Sequence, residues 1–360
     1  MADRDLRDSA LAAKLLARVG ELSGEPVSLM EVCGTHTMAI GRSGLRGMTP
    51  PWLRLLSGPG CPVCVTAQED IDRAVAIALE HPVTVTTFGD MFRVPGSEMS
   101  LERARSEGAS VRMVYSPSDA LEAAKGEPGR QVLFLGVGFE TTTPTVAATL
   151  IRARREGVKN FSVLPLAKLV PPALEAILSS GKAKVEGFIL PGHVCAVTGT
   201  EPFRFLAERY GKPGVVTGFE PVDILQGIVM LLERIRRGEP AVEIQYKRVV
   251  RPEGNPQARR MVEEVFRPVD ARWRSIGVIP ASGLGLAEGW EEFDGSRRFP
   301  VEVPPARENP ACRCGDVLMG AALPSDCPLF GEACLPESPL GPCMVSSEGT
   351  CAAHFKYGGA

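Results

Sequence analysis

Along most of this chain, short unbroken apolar runs alternate with longer stretches in which apolar residues recur at helical spacing. The runs at 27–32, 53–56, 83–88, 111–115, 131–137, 161–164, 187–190 and 214–217 read as strands, and continuous apolar runs suit sheets buried on both faces. Between them lie helical patterns near 67–80, 98–107, 117–125, 144–156, 171–180, 200–210 and 221–237. Thr66-x-x-Glu69 has the form of a capping box ahead of Ile71, Val75 and Leu79. Ser116-Pro117 and Asn255-Pro256 are helix starts, the second leading into Met261, Val262 and Val265. The alternation predicts an α/β fold with parallel sheets covered by helices.

The two ends read differently from the middle. Leu11, Leu15 and Val19 form one stripe in a segment carrying Asp3, Arg4, Asp5, Arg7 and Asp8, which predicts an amphipathic helix and not a targeting peptide. After Arg237 the pattern loosens: 242–250 is a strand candidate, and from Pro280 onward Gly and Pro dominate and little regular structure is readable. A domain boundary is expected near 217–240. Two internal echoes, 83–90 with 132–140 and 53–65 with 215–224, hint at two similar α/β halves.

The chain's 360 residues allow two or three domains with real cores. Net charge is −3 and no Lys/Arg run forms a phosphate-binding patch, so no nucleic-acid partner is expected. No apolar run is long enough to cross a bilayer, which predicts a soluble, cytoplasmic protein with no membrane partner. Ten cysteines in that compartment need a reason other than structural disulfides.

The densest motif is Gly58-Pro59-Gly60-Cys61-Pro62-Val63-Cys64, a cysteine pair in a stiff strand-to-helix turn. Such a turn exposes its thiols and sets them beside helix N–H groups, which favour the thiolate; a zinc knuckle or two inert buried thiols is the plain alternative. Ligands of open parallel sheets bind beyond the carboxyl ends of the strands. Those ends deliver Cys33-Gly34-Thr35-His36-Thr37, then Cys61 and Cys64, then Asp90, Glu140-Thr141-Thr142 and Pro191-Gly192-His193-Val194. Three thiols, two imidazoles and two carboxylates are thus expected to converge on one cleft. His36 stands three residues after Cys33, suited to lowering the thiol's pKa or to serving as a second ligand. Taken singly, each has a structural reading: His36 and His193 as turn-bonding residues, Cys195 as a packed thiol, Glu140 as a cap for the helix at Pro144, Asp90 as a cap for its own loop.

A second signal lies in the tail, where Cys312, Cys327, Cys334 and Cys351 are interleaved with Cys314 and Cys343. Four thiolates suit either Zn²⁺ or a [4Fe–4S] cluster, and the lack of paired Cys-x2-Cys knuckles tilts the reading to a cluster. Walker A, G-x-G-x-x-G in a strand–helix turn and the radical-enzyme Cys-x3-Cys-x2-Cys are all missing, so nucleotide chemistry has no support.

Together these motifs, with Phe139-Glu140-Thr141-Thr142 and the tail Gly341-Pro342-Cys343-Met344-Val345-Ser346-Ser347-Glu348-Gly349, resemble the HypD family of hydrogenase maturation factors from Met30 to Tyr357. The resemblance implies a scaffold building the Fe(CN)2CO unit of [NiFe]-hydrogenases with a small HypC-type chaperone, cyanide arriving from a HypE-type donor. It implies two similar α/β domains, which we draw as 42–127 with the Cys61/Cys64 motif and 128–216, plus a third domain from 1–41 and 217–360 holding a [4Fe–4S] cluster. By the same resemblance Cys33 binds the iron together with a cysteine of the partner, and Cys61 and Cys64 are a redox pair at that cleft. The chemistry of His36, His193 and the Glu140 carboxylate suits positioning incoming groups or moving protons there. The resemblance further implies that Cys312, Cys327, Cys334 and Cys351 hold the cluster, with Cys314 and Cys343 a thiol/disulfide pair beside it, in an arrangement similar to ferredoxin–thioredoxin reductase. That likeness keeps open a cluster-fed thiol–disulfide oxidoreductase, and a zinc-stabilised binding module is the third reading.

Overall fold

The computed structural model describes residues 8–22, 24–182 and 184–358. Its strands are β1 (Val27–Glu31), β2 (Leu53–Ser57), β3 (Val83–Thr87), β4 (Val111–Met113), β5 (Gln131–Gly136), β6 (Phe161–Pro165), β7 (Gly187–Pro191), β8 (Gly214–Thr217), β9 (Val242–Ile244), β10 (Phe266–Trp273) and β11 (Gly277–Leu286). They form a five-stranded parallel sheet in the order β2-β1-β7-β8-β9, a four-stranded parallel sheet in the order β4-β3-β5-β6, and an antiparallel β10–β11 hairpin. The α/β class with two parallel sheets is as expected.

The sheets group the strands differently from divisions at 127/128 and 216/217. β3 pairs with β5 across the first division, and β1, β2, β7 and β9, drawn from three expected domains, share one sheet. The segment carrying β3 to β6 is in effect inserted between β2 and β7. Alternation of strand and helix reveals the class but not which strands pair, because register is decided by contacts far apart in the chain. The echoes follow the same grouping: 53–65 and 215–224 belong to one sheet, 83–90 and 132–140 to the other.

Local chemistry accounts for several helix ends. Pro117–Gly126 opens on a capping box between Ser116 and Asp119, and Asn255 Oδ1 accepts from Gln257 and Ala258 N–H at 3.1 Å to open Pro256–Val265. Pro221–Arg237 has Pro at its first turn, Arg234, Arg236 and Arg237 in its last, and Gly238 in the left-handed conformation that closes it. Ser9–Leu22 packs on that helix; residues 1–7 of the expected N-terminal helix lie outside the described residues.

Other expectations need correction. The capping box at Thr66 and Glu69 does not form: Thr66 Oγ1 donates to Pro62 O at 2.8 Å, closing the short helix Pro62–Val65, and the next helix begins at Gln68. The helix expected at 200–210 is split into Glu201–Phe203 and Phe205–Glu208, and the strand expected over 242–250 ends at Ile244. The β10–β11 hairpin was hidden by its own glycines. Any side chain at Gly283 would meet the Ala271 Cβ at 2.6 Å, and one at Gly285 the Val269 Cγ1 at 3.0 Å, so these residues are demanded by cross-strand packing and are not chain breaks.

One apolar core joins the inner faces of both sheets to the cysteine-rich tail, while two smaller cores lie beneath the outer helices. Phe134, Phe161 and Phe188 are fully buried, each worth about 1.5–3 kcal/mol. No described helix is long and apolar enough to cross a membrane.

Candidate functional site

β1 delivers Cys33 to the N-cap of the helix Gly34–Arg42. Glu31, fully buried at the strand's end, holds this turn: Oε2 accepts the Cys33 N–H at 3.0 Å and Oε1 the Thr37 hydroxyl at 2.5 Å. Burial raises the pKa of Glu31, opposed by hydrogen bonds from Ser57, Thr37 and the Cys33 amide. The end of β2 folds against the same turn, with Gly34 N–H donating to Gly60 O at 2.9 Å. A side chain at Gly60 would strike the backbone of Val32 and Cys33, so only glycine lets the two strand ends meet. Cys33 therefore stands beside the Cys61/Cys64 turn.

Cys61 is the N-cap of Pro62–Val65 and its sulfur accepts the Cys64 N–H at 3.1 Å. The two sulfurs are within bonding distance, with Cα atoms 5.3 Å apart. Contrary to the expected exposure, Cys61 is 3 % and Cys64 0 % accessible. The tail roofs them: Ser346 Oγ lies 3.2 Å from Cys61 Sγ and Pro342 O 4.0 Å from Cys64 Sγ. Asp90, at the end of β3, clamps this roof instead of capping its own loop. Its Oδ2 accepts from Ser347 N and Oγ at 2.8 Å each and from Ser346 Oγ at 3.3 Å.

Cys33 itself is partly exposed. Its thiol is pushed up to about 12, first by burial and then by the Glu348 carboxylate, against the weaker pull of the His36 and Thr35 amides. Glu348 Oε1 accepts the Thr35 hydroxyl at 2.7 Å, and a side chain at Gly34 would collide with Glu348. The His36 imidazole does not lower the thiol's pKa. It is fully buried, with Nε2 2.8 Å from Thr217 Oγ1 and 2.9 Å from Gly218 O, and burial pulls it down to about 4, so it is uncharged near neutrality. Phe219 lies between the two histidines, its ring 4.6 Å from that of His36 and 4.1 Å from that of His193. Behind it, fully buried Asp223 pairs with Arg248 and accepts from Gln245 Nε2 at 2.9 Å. A cleft of about 1290 Å³ opens here, lined by Thr35, Met38, Phe219, Met344, Ser346 and Glu348 among others.

Glu140 is not part of this cleft, which corrects the expected convergence. It does not cap Thr143–Arg155; its Oε1 accepts the Val170 N–H at 2.9 Å, at the start of the next helix, while Oε2 has no hydrogen-bond partner among the described residues. Burial pushes it up to about 7. It borders a separate, largely apolar cavity of about 440 Å³ with Thr143, Pro171, Thr198 and Val262. Cys195 is fully buried, as a packed thiol. Sequence reasoning overlooked Phe219, Asp223 and Arg248, which carry no motif of their own; Glu348 was visible only as part of the tail motif.

Five of the tail cysteines, Cys312, Cys314, Cys334, Cys343 and Cys351, form a group. Cys312 and Cys314 sulfurs are 3.3 Å apart; the Cys351 thiol is drawn down by Cys314 first and then by Cys343, whereas Cys314 and Cys351 push that of Cys343 up. A side chain at Gly341 would meet Cys314 Sγ at 2.8 Å and Cys312 Sγ at 3.0 Å, and Cys334 Sγ accepts the Leu340 N–H at 3.4 Å. Cys327, partly exposed, lies 3.9 Å from Ala311 O. Among the described residues no three such side chains close on one point as a single metal ion would need. A cubane instead takes its thiolates at separate corners, and Cys312, Cys334 and Cys351 within the group are donors of the kind such a centre uses.

Compared with known proteins, residues 10–358 match the HypD model, described as the hydrogenase formation hypA family. The chain is 45% identical to hydrogenase maturation factor HypD of Rhodobacter capsulatus, over 99% of this chain and 98% of that one. It is 45% identical to the Cupriavidus necator protein of the same name, over 98% and 96%, and 44% to that of Rhizobium leguminosarum bv. viciae, over 98% and 94%.

Proposed function

The chain belongs to the HypD family of hydrogenase formation proteins, and on that premise we propose that it is an assembly scaffold for the Fe(CN)2CO unit of [NiFe]-hydrogenases. With a small HypC-type chaperone it holds iron through Cys33 while cyanide from a HypE-type donor and CO become the iron's ligands. The observation that carries this reading is the junction of Cys33 with the Cys61/Cys64 turn through Gly34 and Gly60.

Iron carrying cyanide and CO favours soft donors, and a thiolate supplies one. Burial and Glu348 keep Cys33 protonated, so metal binding releases a proton, and Glu348 is a carboxylate at hand to take it. Uncharged His36 and the more open His193, aligned on Phe219, orient incoming groups. Cys61 and Cys64 cycle between disulfide and dithiol, a change of two electrons and two protons. Cys312, Cys327, Cys334 and Cys351 would hold a [4Fe–4S] cluster, which supplies single electrons when bound. Cys314 and Cys343 stand as a thiol pair among them. The oxidoreductase reading asks for a pair that an external protein disulfide can reach, and Cys61 and Cys64 lie beneath the tail.

The test is infrared spectroscopy of the chain co-produced anaerobically with its small partner. Cyanide and CO stretches are expected from the parent and not from Cys33→Ala, with cluster absorption equal in both. Identical stretches in Cys33→Ala would overturn the reading.

A further inference from the structure

Among the described residues, buried Arg274 has no carboxylate within ion-pair distance. It opens the turn between β10 and β11 and is 6 % accessible. Its guanidinium donates to two neutral acceptors, Gln68 Oε1 at 2.6 Å and Pro95 O at 3.2 Å. Gln68 cannot rotate away, because its Nε2 is bonded to Ser97 Oγ at 3.0 Å and Arg307 O at 2.9 Å. Glu308, the carboxylate whose charge reaches Arg274, is engaged by the Ser275 amide at 3.3 Å and hydroxyl at 2.7 Å. The next ionisable groups near enough to act on it are the thiols of Cys314, Cys312 and Cys343.

The backbone fixes this placement. Arg274 N–H donates to Val65 O at 3.0 Å, at the end of the Cys61/Cys64 helix. Ser275, with φ of 58°, packs against Gly315 so closely that a side chain there would meet Ser275 Cβ at 2.8 Å. The turn is thus wedged between the two sulfur sites, next to Cys314. A guanidinium stays protonated inside proteins, and a buried charge is retained where something nearby balances it.

We propose that Arg274 is the resident countercation of the tail sulfur site and raises its reduction potential, acting as a positioning residue and not as a ligand. This rests on reading Cys312–Cys351 as a redox site. One electron from a low-potential donor makes a cluster one charge more negative. Two electrons from a thiol buffer break a Cys314–Cys343 disulfide and leave thiols, whose ionised fraction is anionic. A fixed positive charge favours the reduced state in both cases.

The experiment uses the full chain, prepared anaerobically, in a mediated dithionite titration followed by electron paramagnetic resonance. Arg274→Met is expected to weaken reduction about tenfold, a downward shift of about 59 mV for one electron, while Arg274→Lys stays near the parent. Gln68→Glu, which sets a carboxylate against the guanidinium with little change of shape, is expected to shift the potential downward too. In metal-free chain, dithiothreitol buffers with alkylation and mass spectrometry should show the Cys314–Cys343 pair harder to reduce in both variants. Equal potentials in parent, Arg274→Met and Gln68→Glu, at equal cluster content, overturn the proposal. If the parent holds no cluster, the cluster reading fails and the thiol arm alone decides Arg274: a shift in both variants supports its role, and no shift ends it.

Discussion

At the carboxyl ends of β1, β7 and β8 stand Cys33, His193 and Phe219, and Phe219 lines a cleft of about 1290 Å³ together with Thr35 and Glu348. At the corresponding ends of β3 and β5 stand Asp90 and Glu140, and neither offers a free group to that cleft. Asp90 is taken up by Ser346 and Ser347, and Glu140 turns one oxygen to Val170 N and seals the other in the interior. Both sheets obey the rule that chemistry gathers at strand ends, yet one edge presents its side chains while the other locks the tail and its neighbouring helix in place. Strand-end position therefore tells where polar residues collect, and only their partners tell which of them are available.

The comparison breaks most completely if the first edge can be dismantled by one methyl group. Gly60→Ala drives a Cβ into the backbone of Val32 and Cys33, which cannot move aside as a flexible side chain would. We expect a loss of about 3 kcal/mol or more, read by chemical denaturation, together with loss of iron binding. An unaltered midpoint would mean that the two strand ends need not touch.

Glu140 sharpens the comparison through pH. Its folded carboxyl sits at about 7 against an ordinary 4.5, so the folded chain keeps a proton that the unfolded chain has released. Stability contributed here is full below 4.5, falls as pH rises toward 7, and above that is reduced by at most about 3 kcal/mol. Glu140→Gln lacks this slope, so its advantage over the parent should grow from about pH 5 to about pH 8. His36 has the opposite slope: with its folded value at about 4 against 6.5, it costs stability as pH falls through that window. Because parent and variant share His36, its effect cancels in their difference. A pH-independent difference between the two would place Glu140 in a wetter setting than its burial indicates.

Much of this was legible in local pattern. The strands of both parallel sheets announce themselves because each is a short apolar run ending in a polar turn, and Ser116 and Asn255 mark their helices because caps act within a few residues. The pairing of strands was not legible, nor was the hairpin, whose Gly283 and Gly285 look like breakers until Ala271 and Val269 are seen across from them. The electrostatics were hidden for the same reason. Glu348 reaches Thr35 across the chain, and Ser346 meets Cys61 likewise; no spacing rule encodes such contacts. The resemblance of the motifs pointed to which residues matter, whereas the buried state of Cys61 and Cys64 and the raised thiol of Cys33 depend on a tail whose packing emerges only in three dimensions.

That tail offers the smallest effect and the most direct test of the locking edge. Asp90→Ala removes the acceptor for three hydrogen bonds from Ser346 and Ser347. Because Asp90 lies at a partly solvated rim, water replaces some of what is lost, and we expect about 1–2 kcal/mol of global destabilisation. The more telling consequence is local. If the tail opens independently of the rest, each 1.4 kcal/mol lost from its closure should raise the rate at which a small thiol reduces Cys61–Cys64 about tenfold. Asp90→Asn keeps an acceptor oxygen without the charge and should fall between parent and Asp90→Ala. Reduction rates that do not change across the three would show that the roof over the cysteine pair is held by the packing of Met344 and Val345 in the core, and that the second edge locks nothing.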